Sequence, residues 1–184
     1  MDEREEKVVG PKTQRNLDGY GTPPIVWERV EQQLNTNVPQ APETGGPSRH
    51  TAWLTTIGPS GAPHVRPVGV VQRDGVWYFN SSAETRKARN LADDPRCVVS
   101  LATDPFDLVL EGAVARVTDA DELSSVATVY ADHGWPCRVD GDALTADFSA
   151  PTAGKPPYYL YRVEPATVYA FGTAEPHGAT RFDL

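Results

Sequence analysis

Thr51-Ala52-Trp53-Leu54-Thr55-Thr56-Ile57, Gly58-Pro59-Ser60-Gly61, Pro63 to Gln72, Arg73-Asp74-Gly75 and Val76-Trp77-Tyr78-Phe79-Asn80 read as three β segments separated by two turns. β-Branched and aromatic side chains suit a pleated, half-buried surface. Gly, Pro, Ser and Asp punctuate the runs, and an Asp-Gly pair between apolar segments is a strong hairpin signal. Three antiparallel strands are therefore predicted. Downstream, Arg96 to Ala102 and Asp107 to Thr118 read as two more, with Gly112 as a candidate bulge in the second. Tyr158 to Phe171, aromatic and β-branched, reads as the last strand.

Helices are predicted at the connections. Val26, Trp27, Val30 and Leu34 recur at helical spacing behind Pro23-Pro24, which predicts a short amphipathic helix ending near Asn35. Glu84 to Asp93 reads as a second helix. Glu122 to Asp132 reads as a third, with Asp119 or Asp121 as its cap and Leu123, Val126, Ala127 and Tyr130 on one face. Asn37 to Ser48 is Pro- and Gly-rich and predicted to be a loop. Trp135 to Pro157 shows little periodicity and is predicted to be a long loop, functional or disordered, whose Trp135 could form a lid or belong to the core. Residues 1–22 read as a polar arm and 23–184 as one domain. Six or so strands in hairpins with two or three helices predict a closed or nearly closed antiparallel barrel, mainly β with α. No GxGxxG follows a strand and no GxxxxGK[ST] occurs, which disfavours a Rossmann domain or P-loop.

With 184 residues the chain can bury a full core without staples. Its net charge of −8 opposes broad contact with nucleic-acid phosphates or an anionic membrane surface, and no apolar run is long enough to span a bilayer. The charged start Met1-Asp2-Glu3-Arg4-Glu5-Glu6 does not read as a secretory signal, so a cytoplasmic protein is expected. Cys97 and Cys137 lack metal-ligand spacing and read as buried or idle thiols, and the four scattered histidines predict no metal site.

Against this acidic background, Tyr78-Phe79-Asn80-Ser81-Ser82-Ala83-Glu84-Thr85-Arg86-Lys87-Ala88-Arg89-Asn90-Leu91 sets small hydroxyls and three cations where a strand hands over to a helix. Unpaired N–H groups and the dipole at a helix start favour an anion, and Arg and Lys supply charge-assisted hydrogen bonds. A phosphate site is expected at Arg86 and Lys87, the alternative being a solvated helix face. No nucleophile triad or paired-carboxylate signature is visible, so no catalytic residue is assigned.

Gly61-Ala62-Pro63-His64-Val65-Arg66-Pro67-Val68, the 78–91 segment, Asp94-Pro95-Arg96-Cys97, Asp107-Leu108-Val109-Leu110-Glu111-Gly112 and Ala179-Thr180-Arg181-Phe182 together resemble the pyridoxamine 5′-phosphate oxidase-like split β-barrel superfamily, and more closely its actinobacterial flavin/deazaflavin-dependent branch. The resemblance runs from about Tyr20 onward. It implies an FMN-binding-like split barrel that forms a homodimer, with a flavin-type cofactor in a cleft at the interface and a small-molecule substrate. The deazaflavin coenzyme F(420) is the first expectation and FMN the alternative. The implied activity is hydride transfer to or from a small conjugated substrate, with a non-catalytic carrier or an FMN-dependent oxidase as alternatives. By the same resemblance Arg66, Arg86 and Lys87 would reach the cofactor phosphate, Phe79, Asn80 and Thr85 would contact the cofactor, and Asp107 would meet its ring system. Arg66 could instead be a gatekeeper on an edge strand. Two positions depart from the oxidases: Val71 stands where they carry a cofactor- and substrate-contacting Lys, and Arg181-Phe182-Asp183 lacks their C-terminal His. Deazaflavin-binding relatives usually end in Thr-Arg-Trp, where this chain has Thr180-Arg181-Phe182. His64 reads as a hydrogen-bonded strand residue and His133 as a helix C-cap.

Overall fold

The computed structural model of the protein describes residues 10–36, 52–150 and 153–184. The loop expected over 37–48 and the first nine residues of the arm lie outside them. The strands are β1 (Thr13–Asn16), β2 (Ala52–Ile57), β3 (Pro63–Val68), β4 (Val70–Arg73), β5 (Val76–Ser82), β6 (Arg96–Ala102), β7 (Phe106–Val117), β8 (Arg138–Asp140), β9 (Ala143–Thr145), β10 (Tyr158–Gly172) and β11 (Ala179–Asp183); the helices are α1 (Trp27–Leu34), α2 (Arg86–Asp93) and α3 (Ala120–Asp132).

The six predicted barrel strands are all present, with one break. The stretch 63–72, expected as a single strand, divides at Gly69 into β3 and β4. Among the described residues β3 pairs only with β2, and β4 only with β5. Pairing continues from β5 to β10, β7, β6 and back to β2. The circuit is thus closed by hydrogen bonds except between β3 and β4, where the chain itself turns the corner. This is a mainly antiparallel split barrel, and among the described residues one edge of β3 has no strand partner.

β10 is the spine. Its first half, Tyr158–Arg162, pairs with β5 and its second half, Thr167–Phe171, with β11, while β7 runs along its other side. Gly112 is not the bulge: the register slips between Pro165 and Thr167 of the partner strand, and a Cβ at Gly112 would come within 2.8 Å of Pro165 Cα. Glycine is required there because the backbone of β10 approaches too closely for a side chain.

Period-two alternation sends Leu54, Val99, Leu110, Val168 and Phe182, which lie across from one another, into the barrel. A second core, with Tyr78, Val117, Leu123, Val126, Tyr130 and Leu160, fills the space between α3 and the outside of β5 and β10. Val68 and Val70, on either side of Gly69, both enter the first core, and Val71 enters the second.

Four further strands lie on the periphery. The segment expected as a long loop contains the β8–β9 hairpin, whose Leu144 pairs with Tyr158. Trp135 packs against the second core: its ring meets Tyr130 and Tyr158 edge-on at 5.2 and 5.6 Å, and Nε1 donates to the Phe148 carbonyl. Within the polar arm, 13–16 forms an exposed edge strand on β11, which follows the strand expected to be last. Both cysteines are free and buried. No helix among the described residues is long and apolar enough to cross a membrane.

Candidate functional site

The handover from β5 to α2 is built by short hydroxyl side chains. Thr85 is the N-cap of α2, its Oγ1 accepting from Ala88 N at 3.2 Å and donating to the Ser82 carbonyl at 3.0 Å. Ser81 Oγ lies 2.6 Å from the same hydroxyl. Asn90, on the buried side of α2, donates from Nδ2 to Thr56 Oγ1 at 2.9 Å and fastens the helix to β2. That attachment brings the first turn of α2 alongside the β2–β3 hairpin. Arg86 Nη2 accordingly lies 3.5 Å from where a Cβ on Gly58 would stand.

The first turn of α2 holds Arg86 and Lys87 and no acidic residue. Cations there oppose the helix dipole, at a cost of about 0.3–1 kcal/mol each. From β3, Arg66 adds a third cation; it is exposed, and its Nη1 donates to the Val65 carbonyl at 2.7 Å. Burial first, and the Arg66 guanidinium second, push the Lys87 ammonium below its ordinary range. His64 precedes Arg66 by two residues, so the two share a face of β3. Its ring is held low by burial first, then by Arg66, Arg86 and Lys87 in turn. The ring is buried, and its Nδ1 has no hydrogen-bond partner, contrary to the satisfied strand histidine expected from the sequence.

Arg96, Arg116, Arg138, Arg162 and Arg181 each hold at least one carboxylate at 2.6 to 3.2 Å. Among the described residues none pairs with Arg66, Arg86 or Lys87. An acidic protein has left three cations, one of them half-buried, in mutual repulsion around an orphaned imidazole nitrogen.

The remaining expected site residues are not gathered there. Phe79 is fully buried in the barrel, stacked on Tyr161 at 5.1 Å. Asn80 alternates to the opposite face, toward the second core, where its amide lies near the buried Tyr130 hydroxyl without meeting hydrogen-bond geometry. Thr85 serves the helix as its cap. Asp107 is exposed and pairs with Ala102 at the other end of β6. Five residues separate Ala102 from Cys97, so Asp107 stands roughly 17 Å along the sheet from the cationic end. The cluster that does form is Arg66, Arg86, Lys87 and His64; the period-two spacing of His64 and Arg66 was the signal for the last member.

Outside the barrel, the same sheet presents Val65, Trp53, Val98, Val109, Tyr169 and Phe171 on one face. Trp53 is 47% and Val65 44% exposed; Val65 lies on β3 and Trp53 on the adjacent β2, on the face opposite that of His64 and Arg66. A groove of about 230 Å³ between α1 and the β6–β7 turn, lined by Arg29, Gln32, Gln33, Thr36, Pro105 and Phe106, involves none of these residues.

Residues 40–172 match the pyridoxamine 5′-phosphate oxidase family. A conserved hypothetical protein from Mycobacterium tuberculosis has a similar fold, with a TM-score of 0.55 at 20% identity over 83% of this chain and 88% of that one. For General Stress Protein 26 from Bacillus anthracis str. Sterne the TM-score is 0.53 at 16% identity, over 85% of this chain and 99% of that one. A structure titled F(420) reductase gives 0.50 at 20% identity, over 75% and 94%. No curated protein sequence matches the chain.

Proposed function

Since the chain belongs to the pyridoxamine 5′-phosphate oxidase family, we propose that it is an oxidoreductase that grips the phosphate of a flavin-type cofactor with Arg66, Arg86 and Lys87 and transfers a hydride to or from a small conjugated substrate. The observation that carries this reading is the unpaired cluster. Three cations with no carboxylate among the described residues, two of them in the first turn of α2, form an arrangement that a phosphate dianion stabilises and an empty site does not. The donor set fits: guanidinium forks and an ammonium are the usual partners of phosphate oxygens.

A bound flavin or deazaflavin supplies the hydride chemistry itself. The chain's task is to hold and orient it, which accords with the lack of a nucleophile triad in the sequence. Coenzyme F(420) is the cofactor we propose first, on the motif resemblance and the shared fold of a solved F(420) reductase; FMN is the second. Val71, buried in the second core where oxidases of vitamin B6 carry a lysine, supports a substrate other than pyridoxamine phosphate. A second copy of the chain completes the site in this reading. It would cover the exposed Trp53 and Val65 face and bring its own Asp107 end toward the cationic edge of β3.

The test is titration of the purified protein with FMN and with F(420), repeated on Arg86→Ala/Lys87→Ala. Loss of two charge-assisted contacts should weaken binding by about 3 kcal/mol, on the order of a hundredfold in Kd. Unchanged affinity would remove these residues from the site. Tight binding without turnover of any enone, quinone or tetrapyrrole would make the protein a carrier instead of an enzyme.

A further inference from the structure

The cationic cluster contains one group that neither the helix start nor the family match accounts for. His64 is 8% exposed, its Nδ1 is unpartnered, and its ring feels Arg66, Arg86 and Lys87 together. An unpaired polar atom in a buried setting is destabilising, and here it lies among charges that themselves lack carboxylate partners among the described residues. On β2 the residue opposite is Thr56, whose hydroxyl bonds the His64 carbonyl and receives Asn90, and so does not serve Nδ1. The charged groups acting on the ring are Arg66 from its own strand and Arg86 and Lys87 from α2, all positive.

We propose that His64 is the fourth group of this anion site, donating a ring N–H to the bound phosphate, and that phosphate binding there takes up one proton onto its imidazole. The inference rests on the phosphate reading above and adds a linkage to it. Without an anion, burial and three cations keep the ring neutral. A dianion reverses the local potential, and the imidazolium then contributes a charge-assisted hydrogen bond. The sign follows. Burial and the three cations hold the free ring below its ordinary 6.5; for the linkage to hold, the bound phosphate must raise it above that value. Affinity therefore rises as pH falls between those two values, by up to about tenfold per pH unit.

FMN is the probe, titrated from about pH 6.5 to about pH 8.5, a range in which its phosphate, with a second pKa near 6, is mostly dianionic. The wild-type protein should bind progressively more tightly toward the acid end. His64→Gln, which keeps a side-chain N–H but no titratable ring, should bind with a flat profile over the same range. Independently of any variant, the His64 ring signal in the NMR spectrum, assigned by its absence in His64→Gln, should titrate at higher pH with FMN than without. An equal ring pKa with and without FMN, or the same pH slope in His64→Gln as in wild type, overturns the proposal. If Arg86→Ala/Lys87→Ala also binds as wild type does, the phosphate reading fails with it; if only that variant weakens, the site stands and His64 is outside it.

Discussion

The first turn of α2 and the end of β11 contain the same kinds of residue, a threonine beside an arginine, and use them in opposite ways. In β11, Arg181 donates to Asp183 at 2.7 and 2.9 Å, Thr180 accepts from Ile25 N, and Phe182 is fully buried with Trp27 edge-on at 5.1 Å. The Arg181 charge is thus met within its own strand. At α2, Thr85 is likewise consumed by its cap, but Arg86 and Lys87 have no carboxylate among the described residues. The contrast is one of compensation: the same residue types are paired with a carboxylate in β11 and carry none at the start of α2.

The sharpest way to break this contrast is Phe182→Ala. Truncating a fully buried aromatic should cost about 3–5 kcal/mol in denaturant unfolding, while FMN affinity measured on the folded protein stays at the wild-type value. A parallel loss of affinity would bring the C-terminal edge into the site. Arg86→Glu should split the two quantities the other way. Ligand-free stability should rise by about 0.3–1 kcal/mol, because an acid replaces a cation in the first turn, and FMN binding should weaken by about 2 kcal/mol or more. Wild-type affinity in that variant would contradict the assignment of Arg86. The smallest effect concerns pH. Hydrogen bonds from Thr13 and Arg181 hold the Asp183 carboxyl below the usual carboxylate range. Its contribution is present above the unfolded value and lost as pH falls through the folded one. Asp183→Asn should therefore lose less stability than wild type between about pH 5 and about pH 3. An identical acid limb would show that β11 does not depend on the pairing.

Much of the barrel was legible because its strands are long and alternate strictly; Leu54, Val99 and Leu110 announce the core by period alone. What was missed follows from short-range ambiguity. The β8–β9 strands have three residues each, too few for a period, and 13–16 is exposed at every position, so no apolar signal exists. The break at Gly69 was hidden because valines stand on both sides of it and both enter the same core. For the site, Arg86 and Lys87 were legible as charges at a helix start. Phe79 and Asn80 were nominated by likeness, and the strand's alternation sends them into two different cores. Asp107 sits at the far end of the sheet, a separation no linear spacing reveals. His64 shares a strand face with Arg66 by period two, but that spacing alone does not separate a satisfied strand histidine from an unpartnered one; the orphaned Nδ1 is visible only in three dimensions.

The position of β10 also bears on how the molecule is made. It bonds to strands that begin as early as Val76 and end as late as Asp183, so pairings of high sequence separation converge on one late segment. During synthesis the hairpins through β7 leave the ribosome first, with the inner edges of both β5 and β7 unpaired. Until residues 158–172 emerge, the nascent chain exposes apolar strands of the kind that chaperones hold apart.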